Sequence, residues 1–456
     1  MTSTSQQLTL PWGKKKIELQ VPATWTLIHP ELNDPPTPSP KSEIEIVEDA
    51  LASPHGAAPL KERNLTGKRI IVITDDNTRP TPVFKFFSRI LDILEGCGAD
   101  LKNAMLLPGL GIHTAMTREE MEAKVGAEGL SRIQWENHDA FDPEKNAEFG
   151  TTSRGTLVSL NHRLKDADMV ILLGLIEPHL MAGFGGGLKN VLPGVASAAT
   201  IGQHHQLLTD PPQDFNRVGM APEKNNFRLD LEEVAAMVPG EIFCLNVVID
   251  ESHNIQAAFA GDGIGAHRAG VDYTRKAQEL RLGEPVDGVI VNSFPMDINF
   301  KQSMKCVGNS LPALKPNGVV MGFLRADRGL DDTPLPDKMP LPLWLIRGIL
   351  RLLGPSRVFD FLKRVKKGLN AEEKFLYYYM LQLIREHRLF LHVPTLSDLE
   401  RERLFYFTHC PSPQSVIDQA GRRLKDNATV AVFPKGGATY PFIHRGCTPE
   451  AFRSQS

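Results

Sequence analysis

DADMVILLGLIEPHLMAGFGGGLKN, residues 166–190, is the stretch whose reading decides the fold. Its first part is an apolar, β-branched run of the length expected for a strand buried on both faces. A turn carrying Gly183, Gly185, Gly186 and Gly187 follows it directly. Glycine-rich turns at the carboxyl end of a buried strand are where α/β proteins bind ligands. The loop also carries His179 and Lys189 and runs on through VLPGVASAATIGQHH to His204 and His205. One segment therefore offers groups for acid–base, covalent and metal chemistry.

The pattern extends outward from this strand. KRIIVITDD (residues 68–76) is a compact strand that runs into the stiff turn NTRPTP and a helical VFKFFSRILDILEGCG. KNAMLLPGLG predicts the next strand, followed by the loop GIHTAMT and the acidic helix start REEMEAKVG. SRIQWENHDAFDP and EIFCLNVVID predict two more strands, and IQAAFAGD a partner for the latter, before a long polar helix from His267 to Leu282. Such alternation predicts a parallel, doubly wound sheet. The flanks differ: a hairpin over residues 7–29, a proline-rich linker, a second βαβ unit from about Gly283, a basic helical insert at 330–388, and GGATYPFIHRG as a closing loop and tail. At 456 residues two domains are expected. We place an N-terminal Rossmann-like α/β domain at 1–275 and a C-terminal α/β domain with the insert at 276–456, with the site in a cleft between them.

A net charge of -3 gives no overall basic excess, so neither nucleic acid nor a membrane is expected as a partner. The N-terminus shows no charged leader with an apolar core, and the five cysteines lack CxxC spacing. We expect free thiols and a cytoplasmic protein, with any metal held through histidine.

Polar groups gather at the predicted strand ends: Asp75, Asp76, Thr78 and Arg79; His113; Asn137 and His138; His179 and the glycines. Strand C-termini of a parallel sheet share one edge, so these loops should converge. Arg79, held between prolines, suits either a bidentate carboxylate clamp or a turn-stabilising pair with Asp75 or Asp76. His113 and His179 are acid–base candidates, and either alone could be structural. Lys189 reads as a phosphate contact, a covalent attachment site or a surface lysine. Of His204 and His205, adjacent in the chain, one at most should reach a shared site.

Taken together, DDNTRPTP, GIHTAMT, ENHDAFDP, IEPHLMAGFGGGLKNVLPG and TIGQHH resemble the lactate racemase family, in the family's order over roughly residues 70–205. The closing PKGGATYP matches more loosely. The resemblance implies a nickel-pincer nucleotide, a pyridinium-derived mononucleotide with sulfur-bearing arms, covalently attached to Lys189. It implies His205 as the metal ligand, and Asp76, Thr78, Gly185, Gly186 and Gly187 around the cofactor. His113 and His179 become bases serving opposite enantiomers of a 2-hydroxy acid, and Arg79 its carboxylate clamp. The cofactor's own biosynthetic enzymes become partners. Three departures bear on substrate: Gly185 stands where a serine is usual, Thr114 where an arginine is common, and Met296 in SFPMD where lactate-specific members carry a lysine. They imply a racemase or epimerase of a 2-hydroxy acid other than lactate. A non-catalytic nucleotide- or metal-binding protein of the same fold is the alternative.

Overall fold

The computed structural model describes residues 5–32, 34–206, 216–331, 335–336, 338, 341–366, 368–369 and 371–443. The chain divides into two compact units, one of residues 36–275 and one of residues 1–35 with 276–456.

The unit of residues 36–275 is built on a six-stranded sheet in the order Ile255–Gly261, Glu241–Ile249, Met169–Leu175, Ile70–Asp75, Met105–Gly109, Gln134–Trp135. Every neighbouring pair is parallel except the edge strand Ile255–Gly261, which runs antiparallel to Glu241–Ile249. Every residue of Ile70–Asp75 and Met169–Leu175 is buried. That is why both read as continuous apolar runs: helices or loops cover both sheet faces. The helix Phe87–Gly96 buries Phe87, Ile90, Leu91 and Leu94, one stripe at helical spacing, against core residues that include Val72, Ile171 and Leu245. The helix Arg118–Val125 begins at a capping box between Thr117 and Glu120, an arrangement that contributes about 1 kcal/mol. GTLVSLNHRL forms the second strand, Leu157–Asn161, of an antiparallel hairpin with Asn146–Thr151, outside the large sheet.

The other unit carries a second six-stranded sheet, with all neighbours parallel, in the order Thr408–His409, Arg388–His392, Leu314–Phe323, Val286–Asn292, Thr429–Phe433, Thr26–Ile28. This corrects the expected domain limits, because residues 1–35 do not belong with 36–275. Thr26–Ile28 is an edge strand of this sheet, and Leu8, Leu10, Leu19 and Val21 of the N-terminal hairpin enter its core beside Ile290, Met321 and Val430. Two further expectations fail together. The polar helix spans Gly265–Gln278 rather than reaching Leu282, and the predicted closing loop contains a strand, Tyr440–Ile443. Glu279–Leu282 leaves the helix to pair with that strand. The insert forms three mutually packed helices, Leu343–Leu353, Pro355–Val365 and Ala371–Glu386. Cys97, Cys244, Cys306 and Cys410 are free thiols, and Cys447 lies outside the described residues.

Candidate active site

The parallel register of the first sheet brings the ends of Ile70–Asp75, Met105–Gly109 and Met169–Leu175 to one edge, where the predicted loops emerge. The acidic pair after the first strand splits its work. Asp75 turns inward to Lys124, 2.5 Å away, and accepts from the Thr81 hydroxyl. Burial pushes the Asp75 carboxyl up, against the pull of Lys124 and Thr81. Asp76 faces the neighbouring loop. One oxygen accepts from the Thr78 amide (3.0 Å) and hydroxyl (2.5 Å), and the other lies 2.5 Å from His113 Nδ1. Burial opposes ionisation of Asp76, but His113, Arg79 and Thr78 outweigh it and hold the carboxyl far below the usual range. An ionised Asp76 on Nδ1 fixes the His113 tautomer and leaves Nε2 for chemistry.

Arg79 makes neither predicted turn bridge. Its Nη1 donates to Thr78 Oγ1 (3.0 Å), and its Nε lies 3.7 Å from Glu177 Oε1, on the loop after Met169–Leu175. The guanidinium thus links two loops of the edge and remains a quarter exposed. Its backbone carbonyl accepts from Lys124 Nζ at 3.0 Å, so one buried lysine holds both Asp75 and the Arg79 turn.

On the glycine loop, His179 Nδ1 accepts from the backbone amides of Met181 and Ala182, both at 3.2 Å. Its Nε2 lies 2.6 Å from Lys189 Nζ. With Nδ1 accepting, the proton of a neutral ring sits on Nε2, and the short contact is a hydrogen bond when Nε2–H donates to an uncharged amine. The glycines are required by the chain itself: Gly186 has φ 74°, and a Cβ there would lie 2.7 Å from Leu175 O.

Residues 12–216 match the lactate racemase N-terminal domain. The lactate racemase of Thermoanaerobacterium thermosaccharolyticum is 34% identical over 284 residues, which cover 61% of this chain and 65% of that protein. The lactate racemase of Lactiplantibacillus plantarum is 30% identical over 283 residues, with the same coverage of 61% and 65%. The chain is similar to lactate racemases over these spans and carries the family's N-terminal domain at residues 12–216. The aligned span is just under two thirds of each relative's length. The lactate racemase apoprotein structure from T. thermosaccharolyticum superimposes with a TM-score of 0.79 at 25% identity, covering 96% of this chain and all of that one. A Thermotoga maritima protein at 18% identity shares the fold, with a TM-score of 0.63 over 91% of this chain and all of that one.

Sequence reasoning missed what supports the glycine loop. Arg228, fully buried on the helix Asn226–Ala236, donates to Phe184 O and to Gly186 O, the latter at 3.4 Å. Burial lowers the Arg228 guanidinium to about 9, with Arg268 adding to the shift and Glu232 resisting it. His267 Nε2 donates to Gly185 O at 3.1 Å, and Asn246 Oδ1 accepts from the Gly187 amide at 2.7 Å. Burial, reinforced by Arg228 and Arg268, drives the His267 pKa far down and keeps the ring neutral. The helical pattern hid Arg228 as one more charge on an amphipathic helix.

His204 and His205 diverge as expected, their rings edge-on at 5.8 Å. His204 is fully buried and paired at 2.7 Å with Asp230, which also accepts from Thr152 and Thr156. His205 donates Nδ1–H to Ile201 O at 2.7 Å, so its Nε2 carries the lone pair a metal would use. Among the described residues no group of three or more His, Cys, Asp or Glu could hold an ion by itself. Asn137 holds the His113 loop through both backbone groups of Met116, and His138 is buried against Ala196 O. Met296 lies in the other unit, buried in the turn after the cis Phe294–Pro295 bond and close beneath Gly437.

Proposed function

We propose that this protein is a racemase or epimerase of a 2-hydroxy acid that works with a nickel-pincer nucleotide attached to Lys189. The observation that carries the reading is the pair of supported histidines at one sheet edge, His113 on ionised Asp76 and His179 on Lys189. Such chemistry needs two bases, one for the hydroxyl proton of each enantiomer. The residues present fit the cofactor: His205 offers Nε2 as an imidazole ligand, and Lys189 carries an amine beside a proton-holding ring. When bound, the group supplies the acceptor for a hydride from the substrate's α-carbon.

The chain's own residues do the remaining work. Arg79 clamps the substrate carboxylate, and Glu177 and Thr78 keep the guanidinium in place between loops. Asp76, Thr78 and the backbone of Gly185, Gly186 and Gly187 seat the nucleotide. Met296, in place of the lysine carried by family members that act on lactate, favours a 2-hydroxy acid other than lactate. We place the enzyme in the cytoplasm, with the cofactor-building enzymes as its partners. The test is an intact-mass measurement on protein made alongside those enzymes. Added nucleotide mass mapping to Lys189 is expected, and an unmodified lysine in protein from a host shown to load a known lactate racemase contradicts the reading.

A further inference from the structure

The whole-chain charge conceals one strongly basic element. Residues 341–366 contain Arg347, Arg351, Arg357, Lys363, Arg364 and Lys366 against a single acid, Asp360, although the chain as a whole carries -3. Two consecutive helices of this insert, Leu343–Leu353 and Pro355–Val365, each turn one apolar stripe inward, Ile346 with Leu350 and Pro355 with Phe359. Their outward faces are apolar as well. Trp344 is 72% exposed, Leu352 83%, Phe361 63% and Val365 63%. Side chains that exposed stand proud of the surface and do not line a groove. Arginines share these faces: Arg351, which donates to Asn317 Oδ1, falls beside Leu352, and Arg357, Phe361, Arg364 and Val365 follow at helical spacing. Arg357 and Arg364 have no ion pair or hydrogen bond among the described residues. Arg347 is different: it is turned inward and donates to Ile384 O and His387 O.

We infer that this helical pair is a peripheral docking surface for an anionic lipid bilayer. The occupant must be negative and must accept protruding apolar wedges. Headgroup phosphates over acyl chains satisfy both requirements, with tryptophan and phenylalanine at the interface and arginines at the phosphates. A second copy of the same face would bring like charges together. A protein partner anchored by hot spots would have to supply separate pockets for residues on two helices. None of the described helices is long and apolar enough to cross a membrane, so the association is with the surface.

The test is co-sedimentation of the full chain with vesicles of phosphatidylcholine containing about one third phosphatidylglycerol, against pure phosphatidylcholine. Binding to the anionic vesicles is expected to exceed binding to the neutral ones by at least about tenfold and to fall with added salt. W344S/F361S and R357E/R364E should each weaken it by about tenfold or more while leaving the thermal midpoint unchanged, since these side chains contribute little to the core. Absence of pelleting with anionic vesicles, equal binding to both compositions, or parental binding by both variants overturns the proposal. So does a W344S/F361S variant that changes the oligomeric state but not vesicle binding, because the face would then be a protein interface.

Discussion

Lys189 Nζ lies 2.6 Å from Nε2 of His179, whose Nδ1 is already committed to two backbone amides. The contact joins the attachment candidate to a base candidate, and it sets the direction in which the ring can hold a proton. Lys189→Arg retains a cation but no nucleophilic amine. The variant should fold with an unchanged circular dichroism spectrum and acquire no nucleotide mass. Attachment that survives this substitution would move the tether elsewhere.

The His113–Asp76 pair gives a second expectation. Asp76→Asn removes the charge that orients Nδ1 and should lower kcat by roughly 10²-fold or more, with a smaller change in KM. Because the folded Asp76 carboxyl lies below its unfolded value, its contribution to stability is complete above the ordinary aspartate range near 3.9 and is lost as pH falls below it. Urea titrations of parent and D76N should therefore converge toward the acid end. Curves that stay parallel from neutral to acid pH would show that Asp76 carries no such linkage.

Arg228 holds two carbonyls of the glycine loop from a buried position. Arg228→Met should cost about 3 kcal/mol in chemical denaturation, from buried carbonyls left without a charged donor. Where the variant still folds, nucleotide attachment at Lys189 should fall relative to parent, and mass spectrometry of the purified folded fraction reads this directly.

The glycine loop separates two requirements. Gly186→Ala meets a positive φ and a Cβ placed 2.7 Å from Leu175 O, and should destabilise by about 2–3 kcal/mol. Gly185→Ser, which restores the family's usual residue, meets Leu175 O and Glu177 Cγ at 3.3 Å without a left-handed backbone and should cost under about 1 kcal/mol. Thermal melts of the two variants check the order.

Buried neutral histidines should make the fold acid-sensitive. Burial pulls His387 down to about 4 and also holds His267 well below its ordinary value. The unfolded chain binds these protons first, so stability is full above the free imidazole value near 6.5 and declines as pH falls toward 4. Replacing His387 with Phe should reduce that decline by on the order of 3 kcal/mol in urea unfolding across this window.

The sheet edge was legible because buried parallel strands must be apolar throughout, and their polar loops must leave from one end. Asp76, Arg79, His113 and His179 were placed on these loops in this way, while the roles proposed for them and for Lys189 come from the resemblance. Lys124, Glu177, Arg228, Asn246 and His267 were not, because each sits within a helix, strand or loop whose pattern already accounts for a polar residue. Their roles arise only when distant segments meet, as when Arg228 reaches Phe184 O. Residues 1–35 were assigned to the wrong unit for a related reason: a hairpin has a local signature, but its packing partner has none.

The most direct test of the central claim is the fate of a single enantiomer of a 2-hydroxy acid in deuterated water, incubated with protein that carries nucleotide on Lys189. Chiral chromatography with mass analysis should find the opposite enantiomer retaining protium at the α-carbon, because hydride leaves and returns without exchanging with solvent. Turnover should be lost on replacing either His113 or His179. Deuterium at the α-carbon, or no interconversion across a panel of 2-hydroxy acids with nickel bound, would contradict the account.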